Sequence, residues 1–244
     1  MELIVLGSSS KGNCYLLKAG SAFDNECLVI EAGISFNEVK KALKFNINTI
    51  VGCLVSHRHG DHAKYIAKFC DAGIKVHANA DVIEHLPGVS KVFLKEIKPM
   101  QCFKVGNFKV FVLPMLHDVS CLGFVIEHIE MGKVFFATDT YAIRHRVAGI
   151  DYYMIESNYN DEVLNENIAK GIVPLAMRDR LMFSHMEAEL TAQYLKRCSL
   201  NRTKGIFLMH LSDNNSNANL CVDKVVKATG KPTYVLHAGD EIQL

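Results

Sequence analysis

Short apolar and β-branched runs recur along the chain, each cut off by a polar turn. ELIVL (2–6), NCYLLKA (13–19), ECLVIE (26–31), IVGCLVS (50–56) and IKVHA (74–78) read as strands. So do NFKVFVLP (107–114), CLGFVIEH (121–128), KVFFAT (133–138), DYYMIES (151–157), GIFLMH (205–210) and PTYVLH (232–237). Apolar positions three and four apart mark helices instead in SFNEVKKALKF, DHAKYIAKF, AELTAQYLKRC and LCVDKVVKA. Strands cluster early and again over 107–138, with helices between them throughout. That order predicts a layered α/β protein with largely antiparallel sheets and helices outside, rather than a regular βαβ alternation. No linker, repeat or low-complexity block interrupts the pattern, so residues 1–244 are expected to form a single domain.

Composition narrows this little. Nearly half of the 244 residues are hydrophobic and 22% are charged, enough apolar material for a substantial core. The formal net charge of +1 excludes a global field for nucleic acid, so any attraction to phosphate must be local. MELIVLGSSSKGN has no basic leader ahead of an apolar stretch, and no run approaches the roughly 20 apolar residues a bilayer span needs. The eight cysteines form no CxxC pair and sit mostly inside apolar runs, as reduced thiols would. The expected compartment is cytoplasmic.

The chemistry lies at the ends of the apolar runs. GSSSKGN (7–13) has the glycine spacing of a phosphate loop, but Asn13 and Cys14 replace the required Lys and Ser/Thr and a strand follows, so a tight turn is the better reading. In HRHGDH, directly after the 50–56 run, His57, His59, Asp61 and His62 fall within six residues. His57 and His59 can turn to one side, and Asp61 and His62 open the next helix toward a second position. Neutral imidazole and carboxylate suit Zn²⁺, Mn²⁺ or Fe²⁺. Three more donors end buried runs in the same way: His117 after VFVLPML, Asp139 after KVFFAT and His210 after GIFLM. His77, His85, His128 and His145 lack that context and read as surface or structural residues.

HxHxDH followed by His, Asp and His at strand ends resembles the metallo-β-lactamase fold. SSSKGNCYLL, ESNYN (156–160), SHMEAE (184–189) and HLSDNNSN (210–217) are similar to its YycJ/WalJ-like branch of metal-dependent nucleases, over essentially the whole chain. The resemblance implies a four-layer αββα sandwich and two divalent ions, Zn²⁺ or Mn²⁺. His57, His59 and His117 would hold one ion, Asp61, His62 and His210 the other, and Asp139 would bridge them. One departure is Glu31-Ala32-Gly33, where relatives usually carry Asp-Ala-Gly; that acid is expected to orient the ligand loop, so the geometry behind the ligands is in question. Proteins of the tRNase Z type place a histidine as proton donor where His185 stands, and Glu156 is suited to orient it.

The implied activity is that of a binuclear phosphodiesterase, a DNA exonuclease (RNA is a second candidate) in which a metal-bound hydroxide attacks the phosphodiester. Asp61, His185 and Glu156 are expected to carry the chemistry. Ser212, Asn214 and Asn215 are placed either to hydrogen-bond phosphate oxygens or to cap the next helix, and both readings stay open. Lys11 belongs with the substrate contacts, and Arg58, Lys64, Arg178 and Arg180 are further cations near the expected cleft. Tyr159 is the aromatic whose motif is expected to reach its mouth. With 70 residues between Asp139 and His210 there is no room for a large inserted nucleic-acid-binding domain. That brevity fits a compact exonuclease or, as the alternative, an enzyme for a small phosphodiester such as a cyclic phosphate or nucleotide derivative.

Overall fold

Alternation along the strands sorts their side chains into two faces, and both faces are covered. The computed structural model describes residues 1–20 and 25–244. The first sheet contains β1 (Glu2–Ser9), β2 (Gly12–Lys18), β3 (Cys27–Ile30), β4 (Ile50–Leu54), β5 (Val76–Ala78) and β6 (Leu94–Glu96) in chain order. The second contains β7 (Cys102–Val105), β8 (Phe108–Met115), β9 (Cys121–His128), β10 (Gly132–Ala137), β11 (Tyr152–Glu156), β12 (Gly205–Met209) and β13 (Thr233–Val235). The last strand, β14 (Glu241–Gln243), returns to pair with β1 at the outer edge of the first sheet.

Between the sheets, Leu3, Val5, Tyr15, Leu17, Leu28, Ile30 and Leu54 meet Val110, Val112, Phe124, Ile126, Val134, Phe136 and Met154. Most of these are every second residue of their strands, as a pleated strand requires. The intervening positions of the first sheet, such as Leu16, Val29 and Cys53, pack under Phe36 and Val39 of α1 (Phe36–Ala42). Beyond α2 (Gly60–Ala63), Phe69 of α3 (Ile66–Asp71) joins the same layer. The second sheet is covered on its outer face by α7 (Ala188–Lys196) and α8 (Ala218–Thr229), through Leu195 and Val225. The result is the expected helix–sheet–sheet–helix sandwich. Burial on both faces explains why its central strands read as near-continuous apolar runs.

Each sheet is antiparallel at one end and parallel at the other. β14–β1–β2–β3 and β7–β8–β9–β10 pair antiparallel, whereas β3–β4–β5–β6 and β10–β11–β12–β13 pair parallel. Among the described residues, six of the twelve pairings are antiparallel, so the sheets are mixed where mostly antiparallel ones were expected. Parallel neighbours need crossovers, and helices fill most of them: α4 (Ala80–Glu84) joins β5 to β6, while α5 (Asp161–Ala169), α6 (Leu175–Ser184) and α7 lie between β11 and β12; residues 138–151 join β10 to β11 without a helix. DHAKYIAKF, read as one helix, is two, α2 and α3, broken at Tyr65. No helix among the described residues is long and apolar enough to cross a membrane.

Candidate metal centre

Open α/β sheets present side chains beyond the carboxyl ends of parallel strands, and four of the donor segments arise there. Val55–His62 leaves β4 and enters α2, Asp139 follows β10, Glu156 ends β11 and His210 follows β12. His117 comes from the end of the antiparallel β8. The backbone is bent to deliver several of them: Glu31, Asp139 and His210 have φ of 67°, 45° and 57°. Left-handed backbone costs a residue with a side chain about 1–2 kcal/mol, and such strain collects at functional sites.

Two donor sets share one carboxylate. His57, His59, His117 and Asp139 form one and Asp61, His62, Asp139 and His210 the other, with the candidate ligand atoms of each set within 4.8 Å of one another. Asp139 Oδ1 lies 3.2 Å from His62 Nε2 and 3.5 Å from His210 Nε2, while its Oδ2 lies 3.7 Å from His57 Nε2 and 3.8 Å from His117 Nε2. Asp61 Oδ2 is 3.2 Å from His62 Nε2 and 3.3 Å from His210 Nε2.

The surrounding residues fix how the imidazoles face. His117 Nδ1 donates to the Ser184 carbonyl at 2.7 Å, which leaves the Nε2 lone pair for the cluster. Ser56 Oγ lies 2.9 Å from His57 Nδ1, and His57 Nε2 is buried without a hydrogen-bond partner. Thr138 Oγ1 donates to Asp139 Oδ1 at 2.7 Å, and the Asn13 amide nitrogen is 3.1 Å from His62 Nε2. Glu31 is wholly buried; its Oε2 accepts from the Ser56 amide at 3.3 Å and lies 3.6 Å from His62 Nδ1. The glutamate thus reaches both the loop and a ligand-capable imidazole.

Electrostatics follow from this crowding. Burial would raise the Asp139 carboxyl, but His210, His62 and His57 hold it well below the usual carboxylate range. Burial likewise opposes charge on His62, yet Asp139, Glu31 and Asp61 push its pKa well up, and His210 is raised in the same way. Burial and the neighbouring His62 keep His57 neutral. An orphaned neutral imidazole nitrogen among carboxylates that need positive charge is what a divalent cation complements. The residues present therefore fit the metal site that their types suggest.

A third set sits beside the other two. His185 Nδ1 donates to Glu156 Oε1 at 2.6 Å, and Glu156 Oε2 accepts from the amides of Thr140 (2.9 Å) and Met186 (3.3 Å). The ring of His185 stacks on that of His210 at 5.4 Å. Burial lowers its pKa, but Glu156 first, then Asp139 and Asp61, outweigh it and lift the value to about 9. The cleft over these groups, about 200 Å³, is lined by Ser10, Asp118, Arg180 and Ser184 together with the histidines and aspartates.

Residues 28–211 match the family model for the beta-lactamase superfamily domain. The chain belongs to the metallo-β-lactamase superfamily. It is 30% identical over 208 residues to exodeoxyribonuclease YycJ of Bacillus anthracis, covering 78% of this chain and 76% of that one. It is 25% identical over 181 residues to exodeoxyribonuclease WalJ of Streptococcus pneumoniae, covering 67% of this chain and 64% of its relative. The metallo-β-lactamase-fold protein YhfI from Bacillus subtilis superposes with a TM-score of 0.74 at 16% identity, over 99% of this chain and 98% of its own. Human short-form tRNase Z does so at 0.66 and 15%, over 99% and 98% of the two chains. These last two likenesses speak to the fold. The protein is a metal-dependent hydrolase of the YycJ/WalJ-like branch.

Within this metallo-β-lactamase fold, the expected substrate contacts fall elsewhere. Lys11 pairs with Asp213 at 2.7 Å, and both Lys11 and Ser212 line a neighbouring cleft of about 460 Å³. Asn214 is exposed; Asn215 is buried and belongs to a turn in which its amide donates to Ser212 Oγ and its carbonyl accepts from Asn160. Tyr159 is 3% exposed and packs with Leu164 and Leu181, so it does not reach the mouth as expected. Arg58 pairs with Asp81 and lines a separate pocket with Lys64, and Arg178 is half-buried, which leaves Arg180 as the guanidinium on the cleft. Sequence reasoning passed over Asn13, Ser56 and Asp118, whose Oδ1 is 3.0 Å from His117 Nε2. Only the SSSKGN motif carried a hint of the first.

Proposed function

We propose that the protein is a binuclear phosphodiesterase acting as a DNA exonuclease in the cytoplasm. The observation that carries this reading is the His185–Glu156 pair. A buried carboxylate holds an imidazole beside two donor sets that share Asp139, and this supplies a proton donor at a centre suited to anionic phosphate. The names of YycJ and WalJ, both exodeoxyribonucleases, support DNA as the substrate. Eight free thiols, six of them buried, support a reducing compartment.

His57, His59 and His117 would hold one ion, Asp61, His62 and His210 the second, and Asp139 both. Five imidazoles with two carboxylates suit Zn²⁺ or Mn²⁺. When bound, such ions supply Lewis-acid charge to the phosphoryl oxygens and lower the pKa of a water from 15.7 toward about 7. The chain's own part begins with Arg180, whose guanidinium meets the strand's phosphates at the cleft. As water bonds to phosphorus, losing a proton to solvent, and the ester P–O bond breaks, His185 Nε2 gives its proton to the leaving sugar oxygen. Glu156 Oε1 accepts from the Nδ1–H, which stays on the ring and so holds it on one tautomer. The alternative is a small phosphodiester, whose phosphate a cleft of about 200 Å³ can admit. A strand end entering with its terminal phosphate makes the same demand.

The test is Mn²⁺-loaded protein on single-stranded DNA labelled separately at its 5′ and 3′ ends, beside Asp61→Ala. Short labelled products from one end, reduced at least about 100-fold in the variant, are expected, since the carboxylate serves both ion and loop. Intact DNA with a fully metal-loaded protein would transfer the assignment to a small phosphodiester.

A further inference from the structure

Helix α6 carries an apolar surface that the fold does not use. Leu175, Met182 and Phe183 are 65%, 45% and 71% exposed, and Ile172 just before the helix is 61% exposed. Isolated exposed apolar residues are ordinary, but here they stand in one short segment whose C-terminal end is built into the metal centre. The Ser184 carbonyl accepts from His117 Nδ1, the Ser184 hydroxyl donates to the Arg180 carbonyl at 2.6 Å, and His185 follows at once. Leu181, on another side of the helix, is buried and anchors it against Tyr159 and Leu164.

Helical spacing then locates Phe183. Residues three apart lie side by side on a helix surface, so Phe183 neighbours Arg180, and it immediately precedes Ser184. Arg180 and Ser184 both line the cleft over the metal ligands. An exposed phenyl ring one helical turn from a guanidinium that lines the cleft offers the pairing that can grip single-stranded nucleic acid, a base on the ring and a phosphate on the cation.

We infer that Phe183 stacks on an unpaired base near the strand end while Arg180 holds an adjoining phosphate, which makes α6 the substrate platform of the enzyme. The inference rests on the nuclease reading of the cleft and deepens it. It names single-stranded or frayed ends, whose bases are free to leave the stack, as the substrate class. It also supplies the aromatic contact that Tyr159, buried in the fold, does not.

The test compares the Mn²⁺-loaded wild type with Phe183→Ala, Phe183→Leu and Phe183→Trp on two single-stranded oligonucleotides. One is ordinary DNA, and the other has abasic residues at the three positions nearest each end. With ordinary DNA, Phe183→Ala is expected to raise KM about tenfold with kcat little changed, within the range of one base–aromatic stack. Phe183→Leu should lose as much, because it keeps the apolar surface but not the ring, and Phe183→Trp should restore the wild-type KM. On the abasic strand all four proteins should behave alike, whereas Arg180→Gln should weaken both substrates equally. Equal losses on both strands, or no loss on ordinary DNA, would overturn the platform while leaving the nuclease assignment intact. A wild type that cuts neither strand would defeat the nuclease assignment itself, and the platform with it.

Discussion

Gly33 shows how tightly the ligand loop is held at the scale of one residue. Its amide donates to the Asn13 carbonyl at 3.0 Å, the preceding Ala32 amide donates to the His62 carbonyl at 2.7 Å, and a Cβ on Gly33 would fall 1.7 Å from the Asp61 carbonyl oxygen. That oxygen is backbone and cannot swing aside, so a side chain here must push away the α2 turn that carries Asp61 and His62. Gly33→Ala is therefore expected to keep the fold, by far-ultraviolet circular dichroism, and to lose metal and activity together. A variant that retains full metal stoichiometry would refute this account of the loop. Glu31, two positions earlier, belongs to the same device. Its longer side chain still meets the Ser56 amide and comes within 3.6 Å of His62, so the departure from the usual aspartate leaves the loop its carboxylate.

At the scale of elements, what was legible in the sequence follows the range of the interactions. HRHGDH could be read because its donors share one turn, and His117, Asp139 and His210 because each ends a buried strand. The buried strands themselves were legible as apolar runs. Asn13 and Ser184 were not, since they act on imidazoles 49 and 67 positions away through contacts that no local pattern encodes, and Ser56, though next to His57, shows its role only through the rotation of the ring toward its hydroxyl. Nor was α6, most of whose apolar residues face solvent and set up no periodicity. His77, on β5, lies outside the donor sets, and it has a structural consequence of its own. It is 9% exposed and stacked on Phe103, and burial, aided by Lys75 and Lys95, lowers its pKa from 6.5 to about 4. Between those values the unfolded chain binds a proton that the folded chain refuses, so stability falls as pH drops from about 6.5 to 4 and levels off below. The metal-free protein should lose about 2 kcal/mol from this group between pH 7 and 5. His77→Gln should lose that much less in parallel urea titrations; identical pH slopes for the two proteins would show that His77 is not the cause.

For the whole molecule, the centre is a joint between sheets. His57, His59, Asp61 and His62 hang from the first sheet, while His117, Asp139 and His210 come from the second. Without a cation, this end of the sandwich is held by compensating charge: His62 and His210, pushed toward the cationic form, face Asp61 and Asp139. A cation held by these donors would take the place of those protons and tie the two sheets together. Because the unfolded chain offers no preformed site, the binding energy becomes folding energy. At a free metal concentration about 1,000 times Kd, one site contributes about 4 kcal/mol. For a chain of this size that raises Tm by about 8–16 °C. Calorimetry of the chelated protein, then of the same protein with Zn²⁺ or Mn²⁺ restored, measures the shift. Asp139→Asn should lose most of it, because Asp139 is the residue common to both donor sets. If chelated and loaded proteins melted together, the cluster would not be a metal joint, and the phosphodiesterase reading built on it would fall.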